Sequence, residues 1–324
     1  MRAIRFDEFG GFEQFKPVDI PEPVPSDGQM LIQMKAAAIN AFDNTVRAGY
    51  VAQVSPPLIP GNEGCGIVVS GGGDAFAPGT RVMLVGTFGF ARDGTWQEFL
   101  TATADEVVKA PENLSDVEAA AVPVAYLAAE MALNIGCGFK PGMTLLIPGA
   151  GGSVANAAIQ LAKVHGAGRV ITSAGREDKA NRASELGMTD VVDLSKETLS
   201  EGVMRLTDGK GVEVALDTIG GEVTGQALAS VGANGLLVQM GYPAGTTPTI
   251  DVMHLIWKPA RITGFNMYFQ PPETWAKAWS VLLPLLAEGK VKPVIDRTYP
   301  LEEAAEATRH LIEDRPFGKV VLTL

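Results

Sequence analysis

The chain has 324 residues, of which 46% are hydrophobic and 19% are charged. This length predicts two domains of ordinary size, and the composition is that of a globular protein rather than a disordered or fibrous one. A formal net charge of −11 without a Lys/Arg cluster argues against a nucleic-acid partner. No apolar stretch approaches the ~18 residues that span a bilayer. With no secretory signal and only two cysteines, the sequence predicts a cytoplasmic protein that does not bind a membrane.

The first third of the chain has the pattern of short strands separated by turns rich in Gly and Pro. Residues 30–39, 66–69 and 80–85 are the apolar runs, and their spacing predicts a small β-barrel. Residues 116–134 are rich in Ala and Leu, which predicts a helical stretch that Pro123 kinks or divides.

From residue 143 to about 241 the pattern alternates between apolar strands and amphipathic helices. We predict helices at 155–164 and 176–186, and strands at 144–147, 169–172, 191–193, 212–216 and 236–240. This alternation predicts an α/β fold with a doubly wound parallel sheet that binds a nucleotide.

The last third is less regular. A helix is predicted at 275–288 with an interruption near Pro284, followed by a helix at 301–313 and a closing strand at 317–324. We divide the chain into a β-barrel domain, residues 1–118 and 262–324, and a nucleotide-binding domain, residues 119–261.

A glycine-rich turn lies between the first strand and the first helix of the nucleotide-binding domain, in the segment LLIPGAGGSVANAAIQLAK at 145–163. In this strand–turn–helix context the helix N-terminus and the small residues suit a dinucleotide pyrophosphate. The candidate contacts are Ala150, Gly151, Gly152, Ser153 and Val154. The Ser153 hydroxyl is expected either to contact a phosphate or to cap the helix.

The end of the second strand decides between NADH and NADPH. An acidic residue there would bind the adenosine 2′-hydroxyl, but the expected position is Ala174. Ser173, Arg176 and Lys179 are candidates to bind a 2′-phosphate, so we predict NADPH as the cofactor. The alternative is that Arg176 and Lys179 are solvated helix residues.

Several segments resemble motifs of one family. AAAINAFD at 36–43 resembles A-x-G-V-N-x-x-D, RAGY at 47–50 resembles R-x-G-x-Y with the tyrosine one place early, and PGNEGCG at 60–66 resembles P-G-x-E-x-x-G. DTIGG at 217–221 and GKVVL at 318–322 also fall where the family has them. The chain thus resembles, nearly end to end, the zinc-independent quinone oxidoreductases of the medium-chain dehydrogenase/reductase superfamily. The resemblance implies a GroES-like β-barrel catalytic domain beside a Rossmann domain.

The resemblance also implies that no catalytic metal is bound. The zinc ligands of related dehydrogenases match Asn40, Asn62 and, less surely, Val124, none of which is a good zinc ligand. Asp43 and Glu63 are expected to order the loops around the cleft.

Further roles are carried over from the family. Asn40 would lie near the nicotinamide and the substrate in a cleft between the two domains. Tyr50 would either donate a proton to the substrate oxygen or pack at the rim. Gly241, Tyr242 and Lys319 are the remaining candidates for contact with the cofactor.

Without zinc, hydride delivery suits small acceptors that are already electrophilic. We therefore predict NADPH-dependent reduction of quinones or other α,β-unsaturated carbonyl compounds. One alternative is an enoyl-thioester reductase, which would need a basic entrance, with Lys258 and Arg261 as the nearby cations. Another is a dinucleotide-binding sensor or structural protein with little turnover. The family often dimerises through sheet edges, which predicts a homodimer that pairs through residues 250–264.

Overall fold

The computed structural model describes all 324 residues. The strands are β1 (Arg2–Arg5), β2 (Lys16–Asp19), β3 (Gln29–Ala38), β4 (Glu63–Ser70), β5 (Arg81–Val85), β6 (Phe99–Thr103), β7 (Val107–Lys109), β8 (Thr144–Ile147), β9 (Arg169–Ala174), β10 (Asp190–Asp193), β11 (Val212–Asp217), β12 (Val231–Gln239), β13 (Arg261–Gly264), β14 (Ile295–Pro300) and β15 (Lys319–Thr323).

The α-helices are α1 (Ala41–Arg47), α2 (Asp116–Ala120), α3 (Pro123–Met131), α4 (Ser153–Val164), α5 (Glu177–Glu185), α6 (Leu199–Leu206), α7 (Glu222–Ser230), α8 (Met253–Ile256), α9 (Pro272–Ala287) and α10 (Ala304–Arg309). Short π-helical segments follow α3 and α10, at Ala132–Gly136 and His310–Asp314. None of the helices combines the length and apolarity that a bilayer crossing requires.

The chain divides into two compact units at positions that differ from the predicted domain boundaries. Unit 1 comprises residues 1–124 and 292–324, and unit 2 comprises residues 125–291. The second predicted boundary, at residue 261, falls too early because β13 hydrogen-bonds to β12 in the parallel sheet, and α9 also belongs to unit 2.

Unit 1 is built on a seven-stranded sheet. Its order is β14-β15-β3-β4-β5-β7, with β6 paired to β3, and a separate two-stranded sheet joins β1 and β2. Met30, Ile32 and Met34 alternate along β3 and enter one core cluster, whereas Ala37 and Ile39 at its end enter a second one. Asn40 comes directly after Ile39, so it is held close to the end of β3, which pairs with three other strands of the unit.

Unit 2 contains a six-stranded parallel sheet in the order β10-β9-β8-β11-β12-β13. In chain order this is 3-2-1-4-5-6, which is the arrangement of doubly wound dinucleotide-binding domains. The predicted parallel sheet is therefore confirmed. The order reverses between β8 and β11, so the turns that follow these two strands flank the switch point at which such sheets bind ligands.

Two predictions about proline have different outcomes. Pro123 divides the helical stretch as predicted, since α2 ends at Ala120 and α3 begins at Pro123. The interruption predicted near Pro284 is wrong, because α9 continues through it to Ala287. Pro284 removes only the one backbone bond that its own N–H would make, and the burial of Leu282 and Leu286 on either side stabilises the helix against that loss.

Candidate functional site

The glycine-rich turn of unit 2 joins β8 to α4. Gly149 has φ +84°, and a Cβ atom there would lie 2.7 Å from the Ile219 side chain, so the position requires glycine. Two hydrogen bonds tie the turn to β9. The Gly149 N–H donates to Ser173 Oγ (3.2 Å), and the Ala150 N–H donates to the Ser173 carbonyl (2.8 Å).

The N-terminus of α4 presents unpaired amide groups. Its N-cap is Gly152, which has no side chain to cap the helix, and the Asn156 N–H donates to the Gly152 carbonyl (2.8 Å). The N–H groups of residues 153–155 precede that bond and lack an intrahelical acceptor, as suits a pyrophosphate. Ser153 is the first helical residue rather than the cap, so the capping alternative is wrong, and its phosphate contact stays a prediction.

Ser173 supports the turn and is not a surface ligand. The residue is 1% exposed and its hydroxyl already accepts the Gly149 N–H. This corrects the prediction that it binds a 2′-phosphate, because a buried hydroxyl that holds a backbone amide presents little surface to a ligand.

The neighbouring strand places an acid beside Ala174 that the sequence reasoning missed. The register of β9 and β10 pairs Ala174 with Asp193. The Asp193 carboxylate accepts the hydroxyl (2.6 Å) and the N–H (3.0 Å) of Ser195, and this hydroxyl bond lowers its pKa. Lys196 lies 3.1 Å from Asp193 and 2.6 Å from Glu177, so this acid is already engaged by a cation.

Arg176 lies at the N-cap of α5, with 61% of its side chain exposed. Its guanidinium forms two hydrogen bonds to Asp178, at 3.0 and 2.9 Å. An exposed pair of this kind contributes only ~0.2–1 kcal/mol, so a phosphate could displace the carboxylate. Lys179 is half-buried one turn along the same helix.

Gly241 is held against the turn that follows β11. A Cβ atom there would lie 2.2 Å from the Thr218 carbonyl oxygen. The buried Asp217 builds this turn, because its Oδ1 accepts the Ile219 N–H (2.8 Å) and the Gly220 N–H (3.0 Å). Glycine at 241 is therefore a packing requirement between two backbones next to the switch point.

A buried polar cluster in unit 1 surrounds Asn40. The Asn40 Nδ2 donates to Asn62 Oδ1 (2.8 Å) and to Glu63 Oε1 (2.8 Å). Lys319 Nζ donates to Asn40 Oδ1 (2.5 Å) and forms an ion pair with Glu63 Oε1 (2.5 Å). All four residues are at most 8% exposed. The prediction that Lys319 contacts the cofactor is corrected, because its ammonium is buried between Asn40 and Glu63.

Two carboxylates fix the backbone around this cluster. The Asp43 Oδ2 accepts the Asn40 N–H (2.7 Å) and its Oδ1 accepts the Gly61 N–H (3.2 Å), which joins the start of α1 to the loop before β4. Burial raises the pKa of Asp43 to about 7. The Glu63 Oε2 accepts the Val124 N–H (2.7 Å) at the start of α3.

The side chains of this cluster do not fit a zinc ion. Zinc takes thiolate, imidazole or carboxylate ligands in a tetrahedral set. The cluster contains two amides and an ammonium that lies 2.5 Å from both Asn40 Oδ1 and Glu63 Oε1. No group of three or more His, Cys, Asp or Glu residues in the chain could hold a metal ion.

The two candidate tyrosines are accessible. Tyr50 is 82% exposed after α1, which argues against its packing within unit 1, and Tyr242 is 50% exposed after Gly241. Their hydroxyls are therefore available to a ligand.

Known proteins resemble the chain over both units. Residues 26–112 match the family model of the alcohol dehydrogenase GroES-like domain, and residues 153–283 match that of the zinc-binding dehydrogenases. The quinone oxidoreductase of Pongo abelii is 30% identical over 329 residues, which span 100% of this chain and 98% of that protein.

Solved structures agree with this assignment. An NAD-dependent alcohol dehydrogenase is 32% identical with a TM-score of 0.91, and the match covers 100% of both chains. A mycobacterial protein in complex with NADPH is 28% identical with a TM-score of 0.89, again over 100% of both chains. The predicted GroES-like and Rossmann-type folds are thereby confirmed. The chain belongs to the medium-chain dehydrogenase/reductase superfamily and is of its quinone oxidoreductase type.

Proposed function

We propose that the chain reduces quinones or other α,β-unsaturated carbonyl compounds with NADPH, by hydride transfer and without a metal. The observation that carries this proposal is the buried cluster in which Asn40 bonds to Asn62 and Lys319 supplies the positive charge. By resemblance to the family, Asn40 and Asn62 match the zinc-ligand positions of related dehydrogenases. A buried ammonium repels a divalent cation at hydrogen-bonding distance. The remaining chemistry suits acceptors that need no Lewis acid.

The dinucleotide would be held by the turn and helix end of unit 2. The amides of residues 153–155 would donate to the phosphate oxygens, and the N-cap Gly152 has no side chain that would compete for them. When bound, the cofactor supplies a hydride from its nicotinamide ring. The oxygen of the reduced acceptor would be protonated by the exposed Tyr50 hydroxyl or by solvent.

The preference for NADPH rests on the residues that follow β9. Ala174 leaves the acid position empty, and Arg176 and Lys179 supply positive charge there. The similar structures point both ways, since one is described as NAD-dependent and another contains NADPH. The charges of this chain favour a 2′-phosphate.

Steady-state oxidation of NADPH and NADH, measured with 1,4-benzoquinone and with a simple enone before and after EDTA treatment, tests the proposal. We expect turnover that survives chelation, no stoichiometric zinc by elemental analysis, and a higher kcat/KM with NADPH. Tight binding of NADPH without turnover of any acceptor would instead support a sensor or structural role. Turnover that depends on added zinc would contradict the metal-free reaction.

We further propose that the chain forms a homodimer through the free edge of the unit 2 sheet. β13 is the edge strand and all four of its residues are exposed. The adjacent α8 segment exposes Val252, Ile256 and Trp257, the last to 75%. An open strand edge beside an apolar patch suits a second copy of the same strand. Sedimentation equilibrium should give twice the chain mass, and Ile262→Pro should give the monomer mass.

We also infer a reducing, cytoplasmic location. Cys65 and Cys137 are both free and buried, as expected where thiols are kept reduced. Fractionation of cells that express the untagged chain tests this location.

A further inference from the structure

The hydrogen bonds of the Asn40 amide have a direction that its charged neighbours set. An asparagine side chain offers two N–H donors and two lone pairs on its oxygen. Both Asn40 N–H groups are used, by Asn62 Oδ1 and Glu63 Oε1, and one lone pair accepts from Lys319. The only hydrogen-bonding position of this side chain that no other side chain takes is therefore one lone pair on Oδ1, which lies in the capping box with the Asp43 N–H at the start of α1.

The two ends of this network cannot exchange roles. An ammonium can only donate and a carboxylate can only accept, whereas the amides of Asn40 and Asn62 can turn over and do either. Lys319 therefore forces the Asn40 oxygen to point toward it, and Glu63 forces the amide nitrogen toward itself. The same carboxylate is anchored by the Val124 N–H, and burial of the pair excludes the water that would weaken this control.

We propose that Lys319 and Glu63 are positioning residues that fix the direction of the Asn40 amide, so that Asn40 acts only as a hydrogen-bond acceptor toward an N–H or O–H group of the bound reactants. This inference rests on the proposed reductase function, in which Asn40 lies beside the reactants. It follows that Asn40 does not donate to the oxygen of the reduced acceptor. That donation comes from elsewhere, with the exposed Tyr50 hydroxyl as a candidate.

Three variants separate direction from simple stability. Lys319→Arg keeps a donor-only cation opposite Glu63. The double variant Lys319→Met with Glu63→Gln removes both charges together, which avoids an unpaired buried carboxylate. In this double variant the side-chain amides of Asn40, Asn62 and the Glu63→Gln substitution can all turn over together, so that each exchanges its donor and acceptor ends. The matched control is Lys292→Met with Glu118→Gln, which removes another Lys–Glu ion pair of unit 1 (2.6 Å) and retains Gln in the capping box of α2.

The first readout needs no turnover. Selective ¹⁵N labelling of asparagine resolves the side-chain amide protons, and the Asn40 pair is assigned by its disappearance in Asn40→Ser. We expect slow solvent exchange of this pair in the wild type, in Lys319→Arg and in the control. We expect at least ~10-fold faster exchange in the double variant, because the fixed direction is lost.

The second readout is kcat, and it is measured only if the wild type turns over an acceptor. A wild type without turnover would therefore contradict the proposed reductase function before the role of Lys319 and Glu63 is tested. The double variant should lose about 10- to 100-fold in kcat, as expected for a misdirected contact near the reacting atoms, with a smaller change in KM for NADPH. Lys319→Arg should recover most of the loss, and the control should match the wild type. Unchanged Asn40 exchange in the double variant, or an unchanged kcat, would overturn the proposal.

Discussion

The pair of Arg176 and Asp178 offers a quantitative test of cofactor preference. Arg176 is bound to Asp178 in this structure, so contact with a 2′-phosphate requires an exchange of partners. A hydrogen bond to a charged group contributes about 1.5–3 kcal/mol. The exposed pair that is given up contributes about 0.2–1 kcal/mol. The difference leaves about 0.5–2.8 kcal/mol for NADPH binding.

Arg176→Ala should therefore raise the Kd for NADPH about 2- to 100-fold. Asp178→Asn should lower it by up to about fivefold, because the competing carboxylate is gone. Neither change should move the Kd for NADH. Calorimetric titration of both cofactors at one fixed ionic strength measures all these values. Arg182→Ala is the matched control, since it removes a similar exposed pair with Glu185 (3.2 Å) from the same helix. Equal losses for NADPH and NADH, or weaker NADPH binding by Asp178→Asn, would refute the reasoning.

Three further changes test other parts of the structure. Ser173→Ala leaves the partly buried Gly149 N–H without its side-chain acceptor. This change should cost about 1 kcal/mol in unfolding free energy and weaken the binding of NADPH and NADH alike. Unchanged binding of both in titrations would count against the supporting role of Ser173. Gly241→Ala pushes a Cβ atom against the Thr218 carbonyl and should lower the unfolding free energy by about 1–3 kcal/mol in denaturant titrations, whereas a neutral result would contradict the packing. Burial raises the pKa of Asp43 from 3.8 to about 7 in the folded state. Between these two pH values the folded chain holds a proton on Asp43 that the unfolded chain has lost. Asp43 should therefore make the unfolding free energy fall as the pH rises from about 4 to about 7. Denaturant titrations at several pH values should show that Asp43→Asn removes this contribution, and identical pH slopes would contradict it.

The sequence predicted the centre of unit 2 well because strands buried on both faces are continuous apolar runs. The predicted strand at 144–147 coincides with β8, and the helix predicted at 155–164 begins two residues early as α4. The helix α6 was not located, although a capping box of Thr198 and Glu201 marks its start. The later domain boundary was misplaced because sequence patterns do not show which sheet a short strand such as β13 joins.

The functional residues were predicted by type and position, but not by their partners. Glu63 and Lys319 are far apart in the chain, and only the pairing of β3 with both β4 and β15 brings their strands together. Periodicity carries no signal for such a contact. Ser173 was likewise assigned to the ligand because it stands at the end of the second strand, next to the vacant acid position at Ala174, whereas its hydroxyl accepts the Gly149 N–H of the glycine-rich turn.

The central claim is hydride transfer from NADPH to an activated acceptor without a metal. The most direct measurement uses chelator-treated protein, NADPH deuterated at either face of C4, and 2-cyclohexen-1-one, with mass spectrometry of the product. We predict that one of the two deuterated cofactors delivers its label to the β-carbon of the saturated ketone. NADPH that binds stoichiometrically but delivers no deuterium from either face, or delivers it only after zinc is added, would contradict the claim.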